Sequence, residues 1–186
     1  LGREIGEPLW PEFGFDAKWV EETKVAVGTR TWVSLYQQRP SPQEGSIINR
    51  KWWQYYKKAP EQFDEVIQSW DCSFKETEDG SYVVGQVWGR KGADKYLLDQ
   101  FRARVDFTET LRAIRNMTAK WPQARLKLIE EKANGPAIIS ALRREISGIV
   151  PVNPQGSKEA RLHAVAPDIE AGNVYLPDPS IAPWVH

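Results

Sequence analysis

Two acids in this chain close runs that are otherwise largely apolar. Asp71 ends Val66-Ile67-Gln68-Ser69-Trp70-Asp71, and Glu130 ends Arg125-Leu126-Lys127-Leu128-Ile129-Glu130. Short runs of this kind, bounded by turn residues, read as strands. If those strands are neighbours, the acids bring two like charges together. Such a pair repels and raises the pKa of both members. A divalent cation between them removes that cost, and hard oxygen ligands suit Mg²⁺ or Mn²⁺. The chemistry within reach is therefore metal-assisted, with Asp71 and Glu130 as ligands. The plainer role of each is a strand-end acid that caps a turn or faces solvent. Glu131 adjoins Glu130, and neighbours in a strand point to opposite faces, so only one of the two can face Asp71.

Other groups carry less. Asp79 precedes Gly80 in a turn, where Asp-Gly needs no functional reason. Lys158 and Arg161 begin a helix near the sheet end where the acids belong; they can hold DNA phosphates or form a solvated face. Arg90 and Lys91 sit at a hairpin tip with the same two roles open. His163 reads as a packed or surface histidine. Cys72, the sole cysteine, reads as a small buried filler beside the acid. It excludes an internal disulfide and a Cys-based zinc site, and it fits a reducing compartment.

The elements that must position the acids follow from the rest of the text. The chain has 186 residues, of which 41% are hydrophobic, a globular composition for one domain plus an extension. It carries 25 basic and 25 acidic residues, which argues against wrapping nucleic acid on all sides but leaves room for a local basic groove. No apolar run approaches the ~20 residues of a membrane span, and no signal-peptide pattern opens the chain. Without Met at position 1, it reads as a piece of something longer.

Residues 1–60 hold five of the nine tryptophans. Asp16 caps a predicted helix to about Val27, and a second short helix runs from Thr29 to about Gln38, before Arg39-Pro40. The cluster Trp52-Trp53-Gln54-Tyr55-Tyr56 reads as part of a linker-like extension whose aromatics pack on a neighbouring body. From 61 onward the pattern is regular. Strands are predicted at Glu65–Phe74, Ser81–Gly89 and Lys95–Arg104, joined by turns at 76–80 and 90–94. A helix spans Phe107 to about Lys120, and a fourth strand Ala124–Glu131. A helix from Gly135-Pro136 through Ile146 ends at Gly148. A fifth strand is Ile149–Val152. Ser157–Ala171 is helical, interrupted at Pro167, and Asn173–Leu176 is a short strand. Periodicity alone gives an α/β protein with a mixed sheet. The order of elements together with the acids matches the ribonuclease H-like fold, a mixed β-sheet flanked by helices. In that fold the first and fourth strands lie side by side at the centre, so Asp71 and Glu130 face each other.

Several stretches resemble the C-terminal half of tailed-phage large terminase subunits. They are Leu35-Tyr36-Gln37-Gln38-Arg39-Pro40, Gly45, Trp52-Trp53, Ser69-Trp70-Asp71, Ile129-Glu130-Glu131-Lys132-Ala133-Asn134-Gly135 and Gly172-Asn173-Val174-Tyr175-Leu176-Pro177. Singly each is weak; in this order and spacing they are specific. The resemblance implies a nuclease that cuts concatemeric double-stranded viral DNA as it is packaged into a capsid. It implies a two-metal Mg²⁺ or Mn²⁺ site held by Asp71 and Glu130, with Glu130 favoured over Glu131. It further implies a portal protein and a terminase small subunit as partners, no membrane, and a place in the host cytoplasm, transiently on the procapsid. Residues 1–60 would be the linker and the end of an ATPase region, and 61–186 a nuclease domain incomplete at its C-terminus. No phosphate-binding Gly-x-x-x-x-Gly-Lys-[Ser/Thr] run occurs. The family's third ligand, an Asp in an Asp-Asp motif, is expected beyond residue 186. Asp168 and Asp178 are not in such a motif. Two other readings stay open from the residues: a resolvase- or transposase-like nuclease of the same fold, and a non-catalytic domain that docks DNA or portal.

Overall fold

The computed structural model describes residues 7, 8, 10–23, 32, 36, 47–72 and 81–185. The chain divides into Leu1–Ser46 and Ile47–His186. In the first unit, Asp16 caps the helical stretch 17–23 by accepting from the Trp19 amide at 2.8 Å. The Phe15 ring meets Trp19 edge-on at 4.8 Å, and Trp32 stacks on Tyr36 at 4.7 Å. The rest of the predicted helix at 29–38 lies outside the described residues.

The second unit runs β1 (Gln54–Tyr56), β2 (Glu65–Asp71), β3 (Val83–Lys91), β4 (Asp94–Ala103), α1 (Phe107–Lys120), β5 (Leu126–Glu130), α2 (Gly135–Leu142), β6 (Ile149–Val152), α3 (Lys158–Glu170) and β7 (Val174–Pro177). The seven strands form one sheet in the order β1-β7-β4-β3-β2-β5-β6. Only β3 runs against the others, because hairpin connections make β2–β3 and β3–β4 antiparallel while every other pairing is parallel.

Alternation decides the faces. β2 buries Val66, Gln68 and Trp70 and turns Ile67, Ser69 and Asp71 the other way. Helices α1 and α2 cover the first face: Leu111, Ile114, Met117, Ile138, Ile139 and Leu142 join Val66, Trp70, Val87 and Ile129 in one core. Asp106 starts α1 by accepting from the Glu109 amide at 2.8 Å. The crossover from β6 back to β7 runs the opposite way along the sheet, so right-handedness puts α3 over the second face. There Asp168 of α3 meets Lys95 at 3.0 Å.

Four details differ from the sequence expectation. Gln54–Tyr56, assigned to the extension, forms an edge strand parallel to β7. The first strand stops at Asp71; residues 73–80, with the expected turn and Asp79, lie outside the described residues. Helix α2 ends at Leu142, and Ile146 reaches the core through a turn in which its amide bonds the Leu142 carbonyl at 2.9 Å. Pro167 sits inside α3 near its C-terminal end, and the helix continues past it to Glu170.

Close packing at Gly85 fixes the centre. Gly85 is the β3 partner of Trp70, and a Cβ there would collide with the Trp70 indole. That indole is 2% exposed and donates to Gln68 Oε1 at 3.0 Å, so it cannot swing aside. Overpacking of this kind costs about 1–3 kcal/mol. Gly85→Ala is expected to lose that much stability in urea unfolding; an unchanged midpoint would show that the Trp70 site can relax.

Candidate metal centre

β2 and β5 pair in parallel, with Ser69 opposite Leu128 and Trp70 opposite Ile129. One further step sets Asp71 beside Glu130, at the carboxyl ends of both strands. Adjacent strands are about 4.8 Å apart. Trp70 and Ile129 point into the helix-covered core, so alternation turns both acids to the other face. Each acid is half-buried. The row continues on both sides: Val84 and then Arg102 beyond Asp71, and Val152 beyond Glu130.

Cys72 reports on the same corner. Burial first, and then the negative charge of Asp71 and of Glu130, push its thiol up to about 12. A thiol that feels both carboxylates lies close to both. Cys72 is 1% exposed, which agrees with the sequence expectation of a small buried filler beside the acid.

The turn after β5 holds Glu130 by its backbone. The Glu131 amide donates to the Val152 carbonyl at 2.7 Å, and the Gly135 amide to the Lys132 carbonyl at 3.0 Å. Gly135 packs so closely on the Glu130 carbonyl that a Cβ would collide with it. Between them Ala133 adopts φ 51°, a left-handed conformation rare for residues with a side chain. Sequence reasoning missed this clamp: Gly135-Pro136 read only as a helix start, and Ala133 carries no signal.

Lys158 is exposed at the start of α3, one loop beyond the carboxyl end of β6, where Ser157 Oγ caps the helix through the Ala160 amide. Arg161 is half-buried and donates to the Gly156 carbonyl at 3.0 Å. Both lie at the acid end of the sheet. Glu131 is exposed. Arg90 is at the far end, opposite Glu65 in the ladder and 3.6 Å from its carboxylate. His163 is exposed, 4.0 Å from Glu159. A groove of about 1140 Å³ opens at that far end, lined by Phe63, Glu65, Arg90, Trp121 and Leu126, away from the acids. Among the described residues no group of three or more His, Cys, Asp or Glu is arranged to hold a metal. The donor set at the acid end is thus two carboxylates, hard oxygens that fit Mg²⁺ or Mn²⁺ and leave coordination positions to be filled by others.

Residues 68–186 match the family described as the terminase RNaseH-like domain. The chain belongs to that family. The mixed sheet derived above is its ribonuclease H-like fold. Among solved structures, this terminase domain is similar to the large terminase of a thermophilic bacteriophage, with a TM-score of 0.58 and 11% identity over 88% of this chain and 41% of that one. In another crystal form of the same large terminase the match covers 33% of its length. The large terminase nuclease of thermophilic phage G20c with bound magnesium gives a TM-score of 0.54 at 16% identity, covering 75% of this chain and 78% of that one. The zinc-bound form of the G20c nuclease gives 0.51 at 16% identity, over 73% and 80%. At such identities the likeness is one of fold. Among curated proteins nothing matches. No helix among the described residues is long and apolar enough to cross a membrane.

The Cys72 environment makes its own test. The folded thiol holds its proton to a higher pH than the ordinary value of 9.0. An unfolded chain ionises first, so folding is disfavoured as pH rises above that value. Wild type is expected to match Cys72→Ala in relative stability below about pH 9 and to lose ground to it from there toward about pH 12. Iodoacetamide at pH 8 should label Cys72 only in denaturant; fast labelling of the native protein, read by mass spectrometry, would contradict the buried corner.

Proposed function

We propose that this terminase domain is a divalent-metal-dependent endonuclease that cuts concatemeric double-stranded viral DNA during genome packaging. One observation carries the reading: Asp71 and Glu130 come together on one face, at the carboxyl ends of adjacent parallel strands, in a chain of the terminase RNaseH-like family. Ligand sites of open α/β sheets gather at carboxyl strand ends. Asp71 and Glu130 would hold Mg²⁺ or Mn²⁺. A divalent-metal centre held there would supply an activated water and stabilisation of the leaving oxygen of a phosphodiester. The chain's own part is to hold the two carboxylates at a fixed spacing and to keep the neighbouring thiol neutral. Lys158 and Arg161 would steady backbone phosphates, contacts that position DNA without reading sequence. Portal protein and terminase small subunit are the partners that packaging calls for, and the host cytoplasm, with a stay on the procapsid, is the compartment.

Four replacements in the full-length protein test the roles. Asp71→Ala should abolish metal-dependent plasmid cleavage while leaving the melting temperature unchanged or raised in EDTA, since it removes one of two crowded charges. Glu130→Gln should lower cleavage by at least ~10²-fold, the scale of losing a main electrostatic contributor, and Glu131→Gln by only a few-fold. If Glu131→Gln is the dead variant, the ligand assignment on β5 is wrong. Lys158→Ala should weaken duplex binding and flatten its salt dependence by about one unit of slope, with metal affinity unchanged.

Metal choice is tested separately by calorimetry. All-oxygen donors should bind Mn²⁺ more tightly than Mg²⁺. Equal binding by wild type and an Asp71→Ala/Glu130→Gln double variant would remove the site.

A further inference from the structure

The row that carries Asp71 continues to a basic and aromatic cluster. Arg102 pairs with Val84, which pairs with Asp71. Arg102 is therefore two strands from Asp71, about 10 Å, on the same face. Its guanidinium carbon stands 3.6 Å from the centre of the Tyr82 ring, and that of Arg104 stands 4.9 Å from the same centre. Both arginines and the ring are exposed. β4 ends at Ala103, at the same pole of the sheet as the acids.

Exposed arginines normally sample many rotamers, and fixing one forfeits side-chain entropy. Contact with a ring face offsets part of that loss before any ligand arrives. The guanidinium fork matches the paired oxygens of a phosphate. On the other side of the acids, Lys158 and Arg161 follow β6. The acid pair thus lies between two basic flanks, an arrangement suited to a polyanion laid across the strand ends.

We propose that Arg102 and Arg104, gathered on Tyr82, clamp backbone phosphates of duplex DNA on the β4 side of the acid pair. The proposal rests on the nuclease reading and adds a positioning site to it. With an offset of about 10 Å, the clamped phosphate would be a near neighbour of the one held at the acids and distinct from it. The contact fixes the placement of DNA and takes no part in bond breaking.

The test is fluorescence anisotropy with a duplex of arbitrary sequence in EDTA, across about 50 to 200 mM salt. Arg102→Ala/Arg104→Ala is expected to bind at least about tenfold more weakly at low salt, with the log–log salt slope reduced by about one per arginine. Arg102→Lys/Arg104→Lys should keep most of the slope and recover part of the affinity, because charge remains while the fork is lost. Unchanged affinity and slope in the alanine variant, with a native thermal melt, would overturn the clamp. If that variant does not fold, the lysine variant decides: affinity and slope equal to wild type would overturn the clamp, and weaker binding supports it. Tighter binding of a single strand, lost in Tyr82→Ala but kept in the alanine variant, would also overturn it, making Tyr82 a base-stacking platform. Cleavage with Mn²⁺ in the full-length protein is read alongside. Arginine-dependent binding without cleavage sinks the nuclease reading and leaves the clamp; cleavage with arginine-independent binding does the reverse.

Discussion

The register between β2 and β5 governs the acid end of this sheet. Side chains alternate with a period of two, so a slip of one residue on β5 would send Glu130 into the helix-covered core and bring Glu131 beside Asp71. The slip is opposed twice. Ile129 lies beside Trp70 in the core and would lose its burial. Gly135 meets the Glu130 carbonyl, so α2 has one seat on the end of β5. The crossing helices thus hold the acids indirectly, by holding the residues next to them in the chain.

That corner gathers features that cost stability. Two carboxylates adjoin, Ala133 holds a left-handed conformation, and a thiol is buried beside negative charge. The remainder of the sheet compensates with ordinary packing. The Trp70 indole over Gly85 and the Phe63 ring over Gly89 are contacts that any bulkier residue would disrupt. Tyr96 stacks on Tyr175 at 4.6 Å, and the Tyr56 hydroxyl donates to the Leu97 carbonyl at 2.6 Å, tying β1, β4 and β7 together away from the acids.

The sequence made the element order legible because its strands and helices carry opposite periods. Alternation in 65–71 and the spacing of Leu111, Ile114 and Met117 admit one reading each. Asp71 and Glu130 stood out because an acid ending a buried run is conspicuous. What stayed hidden depends on partners distant in the chain. Gln54-Tyr55-Tyr56 is a strand only because β7, more than a hundred residues later, offers it an edge. Arg102 joins the acid row through two ladders, and nothing local to Phe101-Arg102-Ala103-Arg104 announces that Tyr82 lies beneath it. Pro167 looked like a break because proline removes a helix donor, yet α3 runs past it to Glu170.

The edge strand β1 has a mechanical consequence. It lies parallel to β7 over three paired residues, and the chain is fastened again just beyond, where the Asp178 amide bonds the Tyr56 carbonyl at 2.8 Å. Tension applied to the polypeptide ahead of residue 54 along the strand axis would load these bonds together, in shear. Tension across the sheet would open them one after another. The domain is therefore stiff to pulling in one direction and yielding in another, and the direction is set by three residues at its margin.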